Sequence, residues 1–461
     1  MPKQQASSNS ASKVSNKDQL SSRQLKKLQR ADKLIHQRGH FKQAERLLND
    51  IEQRLRPPYP SPLLQVKGAL QLERKRYAEA RELFQEVWNR DRDNVVANYN
   101  LGRIARKVNR PELALAFFKI GLEHQPDHQH MQVEYVQSLL ELGRIDEAEA
   151  HIERHRSKTP DNPHFLQLTA EVKRRSYLLP EAVDYYRQSL EELIKLAPPG
   201  DKSAADAEET FDVERHEDTL WELLAQLKKA GVQAFPAFGT LLGLVRDGQL
   251  LPFDKDVDIC IPFNQMPKAG KCLAAHGWKE VKNSFGMVSP RAFTNPQKRL
   301  SIDLFALSYD PQEKVAVTGF IMPKIPFDWN YLLKFPGMDL QVNQRPHGAV
   351  WELKDPVPLL ESLYGKGWKE PDPYFATFGG EPGLVSFSYL TQCYAYIRLY
   401  KYWTKGSFKK MRALVCHMLR HQPGDALLEQ LQSKVEAHLE MEEKRRLEEA
   451  ALEEKESATV H

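Results

Sequence analysis

Apolar and polar positions along the chain fall into three patterns. In the first, small residues recur at Gly68, Gly102, Val136 and Ala170, alanines at Ala80, Ala114, Ala148 and Ala182, and bulky residues at Phe84, Phe118, Ile152 and Tyr186, each in steps of 34 residues. Val136 is the loosest fit. Pro126 and Pro160 keep the same step, and an earlier unit with Ala44 and Leu48 is shifted by two residues, "RPPYPSP" supplying the extra length. The spacing predicts stacked pairs of antiparallel helices. The small residue lets two helices approach, and the alanine and bulky residue form a face that neighbouring pairs bury as one core. In the second pattern, Leu220, Leu223, Leu224 and Leu227 predict a helix that Gly231 caps. Short apolar runs at "QAFPAF", "ICIPF", "WKEVKN" and "RLSIDLFAL" predict strands, and "QMPKAGKCLAAHGW" a helix, so this half is mixed α/β. Pro236 argues against a central place for the first strand. From about Leu384 the pattern is helical again, and it closes on a charged helix, "EAHLEMEEKRRLEEAALEEKES", that carries no chemistry.

The repeated positions resemble tetratricopeptide repeats, about five units over residues 29–198. "APPGDKSAADAEETFD", Ala197 to Asp212, reads as a linker. The expected organisation is a polar disordered tail over 1–28, repeats over 29–198, a linker over 199–212, an α/β domain over 213–410, and C-terminal helices with a charged tail over 411–461. The repeat half and the α/β half are expected to fold independently.

Bulk properties narrow the setting. A chain of 461 residues has room for two or three domains. A formal charge of +4 does not point to nucleic acid. The four cysteines form no CxxC pair, so neither zinc nor a disulfide framework is expected. No apolar run reaches the ~20 residues that span a bilayer, and the N-terminus lacks the apolar core of a secretory signal. A cytoplasmic setting follows as the expectation. "YIRLYKYWTKGSFKKMR" mixes basic and aromatic residues. Packing of its tyrosines on the core is favoured over contact with an anionic membrane surface.

The chemistry concentrates in "FGTLLGLVRDGQLLPFDKDVDI", Phe238 to Ile259. Asp256 and Asp258 flank Val257, so on an extended strand both carboxylates face one space and Val257 faces the other way. Two carboxylates in one space repel unless a cation sits between them, and hard oxygen donors favour Mg²⁺ or Mn²⁺. Asp254 extends the row. Asp303, an acid inside the apolar "RLSIDLF", is costly unless compensated. It is expected to reach the same metal from a neighbouring strand, the rival being an ion pair with Arg299 or Lys298. Gly239 and Thr240 open a helix whose free N–H groups would face a phosphate. Arg246 is expected to add a charge-assisted contact to that phosphate, the rival being a structural salt bridge. A calcium loop starting at Asp254 fails, because Ile259 stands where glycine is needed and Gln265 where glutamate is needed. A solvated acidic loop does not explain why Val257, Ile259 and Ile261 alternate with the acids.

This stretch resembles the signature of the LicD family, which includes the fukutin and fukutin-related proteins: GTLLG, an arginine, then IPWD-x-D-x-D. Phe253 stands in place of the usual tryptophan. "VPLLESLYGKGWKEPDP" resembles the family's downstream segment. The two resemblances together imply an N-terminal α-solenoid of tetratricopeptide repeats followed by a C-terminal α/β (α+β) nucleotidyltransferase-like domain, the LicD likeness covering residues 215–373 or so. That likeness implies transfer of a phospho-alcohol, such as phosphocholine or ribitol phosphate, from a CDP-linked donor to a glycan or lipid-linked glycan, as in lipopolysaccharide or capsule biosynthesis. Gly239 and Thr240 then correspond to the phosphate-binding turn. Asp256 and Asp258 correspond to the metal pair with Asp254 beside them, and Asp303 is a further ligand or the base. The repeats are expected to dock a protein partner. The alternatives are nucleotidyl transfer to an acceptor, and a repeat scaffold with a degenerate transferase half.

Overall fold

The computed structural model describes residues 20–36, 40–156, 161–196, 212–252, 254, 256–281 and 286–459. Most of the expected tail and linker, Phe253, Lys255 and part of "WKEVKN" lie outside the described residues. The chain divides into two compact units, Met1–Leu142 and Gly143–His461.

The first unit is helical: α1 (Ser22–His36), α2 (Phe41–Glu52), α3 (Ser61–Glu73), α4 (Tyr77–Arg90), α5 (Val95–Lys107), α6 (Pro111–His124) and α7 (Gln129–Glu141). The 34-residue step has a direct steric cause. A β-carbon at Gly68 would stand 2.8 Å from the Phe84 ring, and one at Gly102 would stand 2.3 Å from the Phe118 ring. The small residue of one helix is the socket for the bulky residue of the next. Helix α1 starts inside the expected tail because Leu28, Ala31 and Ile35 form a buried stripe.

The second unit opens with α8 (Ile145–Arg156), α9 (Pro163–Arg175), α10 (Leu179–Leu193) and α11 (Val213–Lys229). A mixed sheet follows in the order β1 (Phe235–Pro236), β2 (Val257–Pro262), β5 (Leu300–Asp310), β4 (Arg291–Asn295), β3 (Lys279–Glu280). Strand β1 lies at the edge and pairs only with β2, which accommodates Pro236. Strands β2 and β5 are parallel. The far end of β5 pairs with β6 (Val315–Phe320), and β6 pairs with β7 (Tyr331–Pro336). Strands β8 (Leu340–Arg345) and β9 (Gly348–Leu353) form a separate hairpin. The remaining helices are α12 (Phe238–Arg246), α13 (Met266–Ala275), α14 (Val357–Tyr364), α15 (Tyr389–Lys405), α16 (Phe408–His421) and α17 (Ala426–Thr459).

The period-2 alternation of β2 and β5 sorts their side chains onto two cores. Val257, Ile259, Ile261, Ile302, Leu304 and Ala306 pack with α11 and α13. Cys260, Phe305 and Leu307 pack on the other face, in a core shared by α10, α12, α14, α15, α16 and α17. The acids of β2 and β5 belong to this second face.

Helices α9 and α10, whose sequence follows the repeat pattern, bury Ala170, Leu179, Ala182, Val183, Tyr186 and Leu190 in the same core as α15. The boundary expected near residue 198 therefore falls inside the second unit. The tyrosines of "YIRLYKYW" turn inward: Tyr396 is 1% exposed, and its hydroxyl accepts from Arg187 at 2.5 Å. Arg187 also holds Asp425 at 2.7 Å.

A charged knot fastens α9 to this body. The Glu171 carboxylate accepts from Arg174 at 2.7 Å, Arg175 at 2.6 Å and the Tyr186 hydroxyl at 2.9 Å. Arg174 lies over the Tyr394 ring, 5.3 Å from its centroid. Burial pushes the Glu171 carboxyl up, but Arg174 and Arg175 outweigh burial and hold it at about 2. Glu171→Gln is expected to destabilise the unit by about 2–4 kcal/mol at pH 7, because it strands buried guanidinium groups. With the folded value below the unfolded one, Glu171's contribution is full above pH ~4.5 and is lost as pH falls toward ~2. Urea unfolding at pH 7, 4.5 and 3 checks this: the gap between wild type and variant should narrow only below about pH 4.5.

Candidate active site

Helix α12 brings the "GTLLG" motif against the acids. Its glycines, four residues apart, share one helical face. A β-carbon at Gly243 would meet the Gln249 carbonyl at 2.7 Å and the Leu251 nitrogen at 2.9 Å, so this glycine admits the returning chain. A β-carbon at Gly239 would stand 2.7 Å from Asp254 Oδ2 and 3.8 Å from Asp258 Oδ2, so this one admits carboxylates. Phe238, just before it, has φ +45°, a left-handed conformation unusual for a bulky residue. Its ring is held 4.3 Å from that of Phe305.

Asp258 is gripped from three directions. Its N–H donates to Thr240 Oγ1 at 2.9 Å, and its carbonyl accepts from the Ala237 N–H at 3.0 Å. Its carboxylate faces the Gly239 turn, with Oδ2 3.8 Å from where a Gly239 β-carbon would stand. The N-terminal turn of α12 therefore points a peptide donor and the positive end of its dipole at an acid of the protein itself.

Asp303 stands directly beside Asp258 in the parallel β2–β5 register. Neighbouring strands lie about 4.8 Å apart, so the two carboxylates share one face of the sheet. Lys298, one of the two rival partners for Asp303, instead pairs with Glu222. Burial, then Asp256, Asp254 and Asp303, push the Asp258 carboxyl well above the usual carboxylate range, and the Gly239 N–H only partly offsets this. Burial and Asp256 push Asp303 up to about 6. Asp254, Asp256 and Asp303 thus all lie within electrostatic reach of Asp258. Arg246 is placed differently: at the far end of α12 it makes a two-pronged pair with Asp247, at 2.8 and 2.9 Å.

Sequence reasoning missed Tyr364. This last residue of α14, a helix packed on α12 and β7, feels the charges of Asp258 and Asp254. Its ring lies 5.0 Å from Phe375. The signal was present in "LYGKGW", but a lone aromatic on a short helix carries no period.

The profile described as "LicD/FKTN/FKRP, nucleotidyltransferase domain" matches residues 231–336, and a tetratricopeptide repeat profile matches 71–132 and 105–172. The chain carries a LicD domain preceded by tetratricopeptide repeats. The LicD match contains Gly239, Thr240, Arg246 and all four acids, and it ends before Tyr364. No curated protein matches the chain. Solved structures similar to it include PilW, a widely conserved type IV pilus biogenesis factor, at 19% identity over 39% of this chain and 80% of that one, TM-score 0.35. MamA of AMB-1 is 20% identical over 38% of this chain and 93% of that one, TM-score 0.31. A thermophilic TPR protein of Thermus thermophilus is 20% identical over 37% of this chain and 92% of that one, TM-score 0.32.

The donor set of the LicD domain fits a hard divalent cation. Among the described residues no three His, Cys, Asp or Glu side chains stand as a ready-made metal cage. The fit rests on charge. Asp258 faces three other carboxylates, and the compensation identified for it is one peptide N–H.

Gly239→Ala tests the close approach. Asp254 is a flexible side chain that can yield, so stability is expected to change by less than about 1 kcal/mol. Displacing that carboxylate by an ångström is expected to cut turnover about 100-fold. Parallel thermal melts and turnover assays check the split.

Proposed function

We propose that this protein is a metal-dependent transferase that moves a phospho-alcohol from a CDP-linked donor to a glycan hydroxyl. The observation that carries the reading is the pairing of Asp258 with Asp303 across β2 and β5, beside the Gly239 turn and inside a LicD domain. Asp256 and Asp258, with Asp254 and Asp303 beside them, would hold Mg²⁺ or Mn²⁺. That ion supplies neutralisation of the donor's phosphates and of the departing CMP. Gly239 and Thr240 fix Asp258 through its carboxylate and its N–H. Asp303, on a separate strand, would serve as a further ligand or, left off the metal, would orient the acceptor hydroxyl and take its proton. Arg246, tied to Asp247, would have to exchange that partner to reach a phosphate.

The acceptor is a glycan or lipid-linked glycan, met at the cytoplasmic face of the inner membrane. Among the described residues no helix is long and apolar enough to cross a membrane. The repeats would dock a protein partner; in the first unit, Leu28, Val66, Ala69, Tyr99, Asn100 and Arg103 line a groove of 360 Å³. Nucleotidyl transfer is the second reading, favoured by the description of the matching domain.

Incubating the protein with CDP-choline, CDP-ribitol and CDP-glycerol, with Mg²⁺ or with EDTA, tests the proposal. Mg²⁺-dependent CMP release from at least one donor is expected. No release from any donor, or release unaffected by EDTA, would count against it.

A further inference from the structure

We infer that Phe238 is a positioning residue of the transferase site: its ring, packed on Phe305, holds the left-handed backbone that sets the Gly239 turn against the acids. A side chain at φ +45° is unfavourable, and a bulky one there is a genuine outlier. Glycine adopts that conformation without strain, yet the chain keeps its glycine for the next position and places a phenyl ring here. Such strain persists only where the surroundings over-determine it.

Hydrogen bonds hold the chain on either side of Phe238. Just before it, the Ala237 N–H donates to the Asp258 carbonyl at 3.0 Å. Just after the glycine, Thr240 Oγ1 accepts from the Asp258 N–H at 2.9 Å. The Leu241 N–H closes the turn on the Ala237 carbonyl at 3.0 Å. These bonds fasten the turn to β2. The Phe238 ring fastens it to β5, because it lies 4.3 Å from Phe305, two residues beyond Asp303 on the same face of that strand. Phe305 is a fixed support: it is buried, and its ring lies 5.9 Å from Phe320. Phe320 in turn meets Tyr394 edge-on at 4.8 Å and Tyr331 at 5.4 Å.

The consequence for the site is geometric. Phe238 joins the residue bonded to Asp258 to the glycine whose β-carbon would stand 2.7 Å from Asp254 Oδ2. Rotation of Phe238 to an ordinary negative φ would swing Gly239 away from that carboxylate or break the Ala237 bond. The ring therefore sets where the turn stands relative to the strand of Asp303. A hydrocarbon does this without pairing off any of the acids.

The inference rests on reading the acids as a metal site, and the experiment separates the two. Full-length wild type, Phe238→Ala and Phe238→Gly are compared by two measurements. The first is hydrogen exchange, without metal, at the Ala237, Leu241 and Asp258 amides. The second is Mn²⁺ affinity, read from the free-ion electron paramagnetic resonance signal. Phe238→Ala keeps the left-handed penalty and loses the ring that offsets it, whereas Phe238→Gly loses both. Phe238→Ala is expected to exchange about 10-fold faster at these amides and to bind Mn²⁺ about 10-fold more weakly, the scale of that penalty. Phe238→Gly should recover most of both losses. Plain core packing predicts the reverse order, since Phe238→Gly deletes one carbon more. Exchange in Phe238→Gly no slower than in Phe238→Ala overturns the assignment, and so does a Phe238→Ala protein that exchanges like wild type. A wild type that binds no Mn²⁺ removes the metal reading, while the order of exchange rates still decides the role of Phe238.

Discussion

Asp258→Asn is expected to lower transfer by about 10³-fold or more, since charge neutralisation at a transferring phosphate is worth several kcal/mol. The substitution keeps side-chain shape and leaves the N–H bond to Thr240 Oγ1 intact. It removes the carboxylate that faces Asp256, Asp254 and Asp303. Without metal the variant should therefore be at least as stable as wild type, because a repulsive charge has gone. With Mg²⁺, wild type should gain stability and the variant should gain little, since only the species that binds the ion is stabilised by it. Melts with and without Mg²⁺, alongside CMP release, separate a lost site from a lost fold. Undiminished turnover in the variant, together with indifference to EDTA, would remove the metal from the account.

A fragment starting at residue 205 is expected to aggregate, whereas one starting at Gly143 should fold cooperatively. The first lacks α9 and α10, and with them Leu179, Val183, Tyr186, Leu190 and Leu193 of the core shared with α15. At roughly 1.5–3 kcal/mol for each buried side chain, the loss is comparable to the whole stability of a typical domain. It also strands Asp425, which Arg187 holds. Circular dichroism and sedimentation of the two fragments decide the matter. A soluble, cooperatively unfolding fragment from residue 205 would show that α9 and α10 are dispensable.

These helices also show where sequence stops being legible. The 34-residue step records how two helices of a pair fit, and Gly68 with Phe84 and Gly102 with Phe118 carry that signal. It is silent about what the outer face of a helix meets. Ala182 and Tyr186 keep the repeat pattern, yet with Leu179, Val183 and Leu190 they enter the core shared with α15. The acids were legible for a different reason: period-2 alternation fixes the face of each residue on a strand, so Asp258 and Asp303 follow from "DVDI" and "SIDLF". The parallel register between them does not follow, because nothing local in either strand encodes its partner. Strands β4 and β6 to β9 escaped notice; β8, for example, is largely solvent-facing and lacks a clean apolar alternation. Arg246 illustrates a further limit. The motif places an arginine near the turn, but the adjacent Asp247 takes its guanidinium.

The most direct test of the central claim is ³¹P NMR of the full-length protein incubated with Mg²⁺, a CDP-linked alcohol that supports turnover, and a cell-envelope glycan extract. The account predicts loss of the diphosphate signals, appearance of CMP, and growth of a phosphodiester signal that co-purifies with the glycan, all of it absent when EDTA is present. Release of pyrophosphate from CTP with a nucleotide left on the acceptor would contradict it.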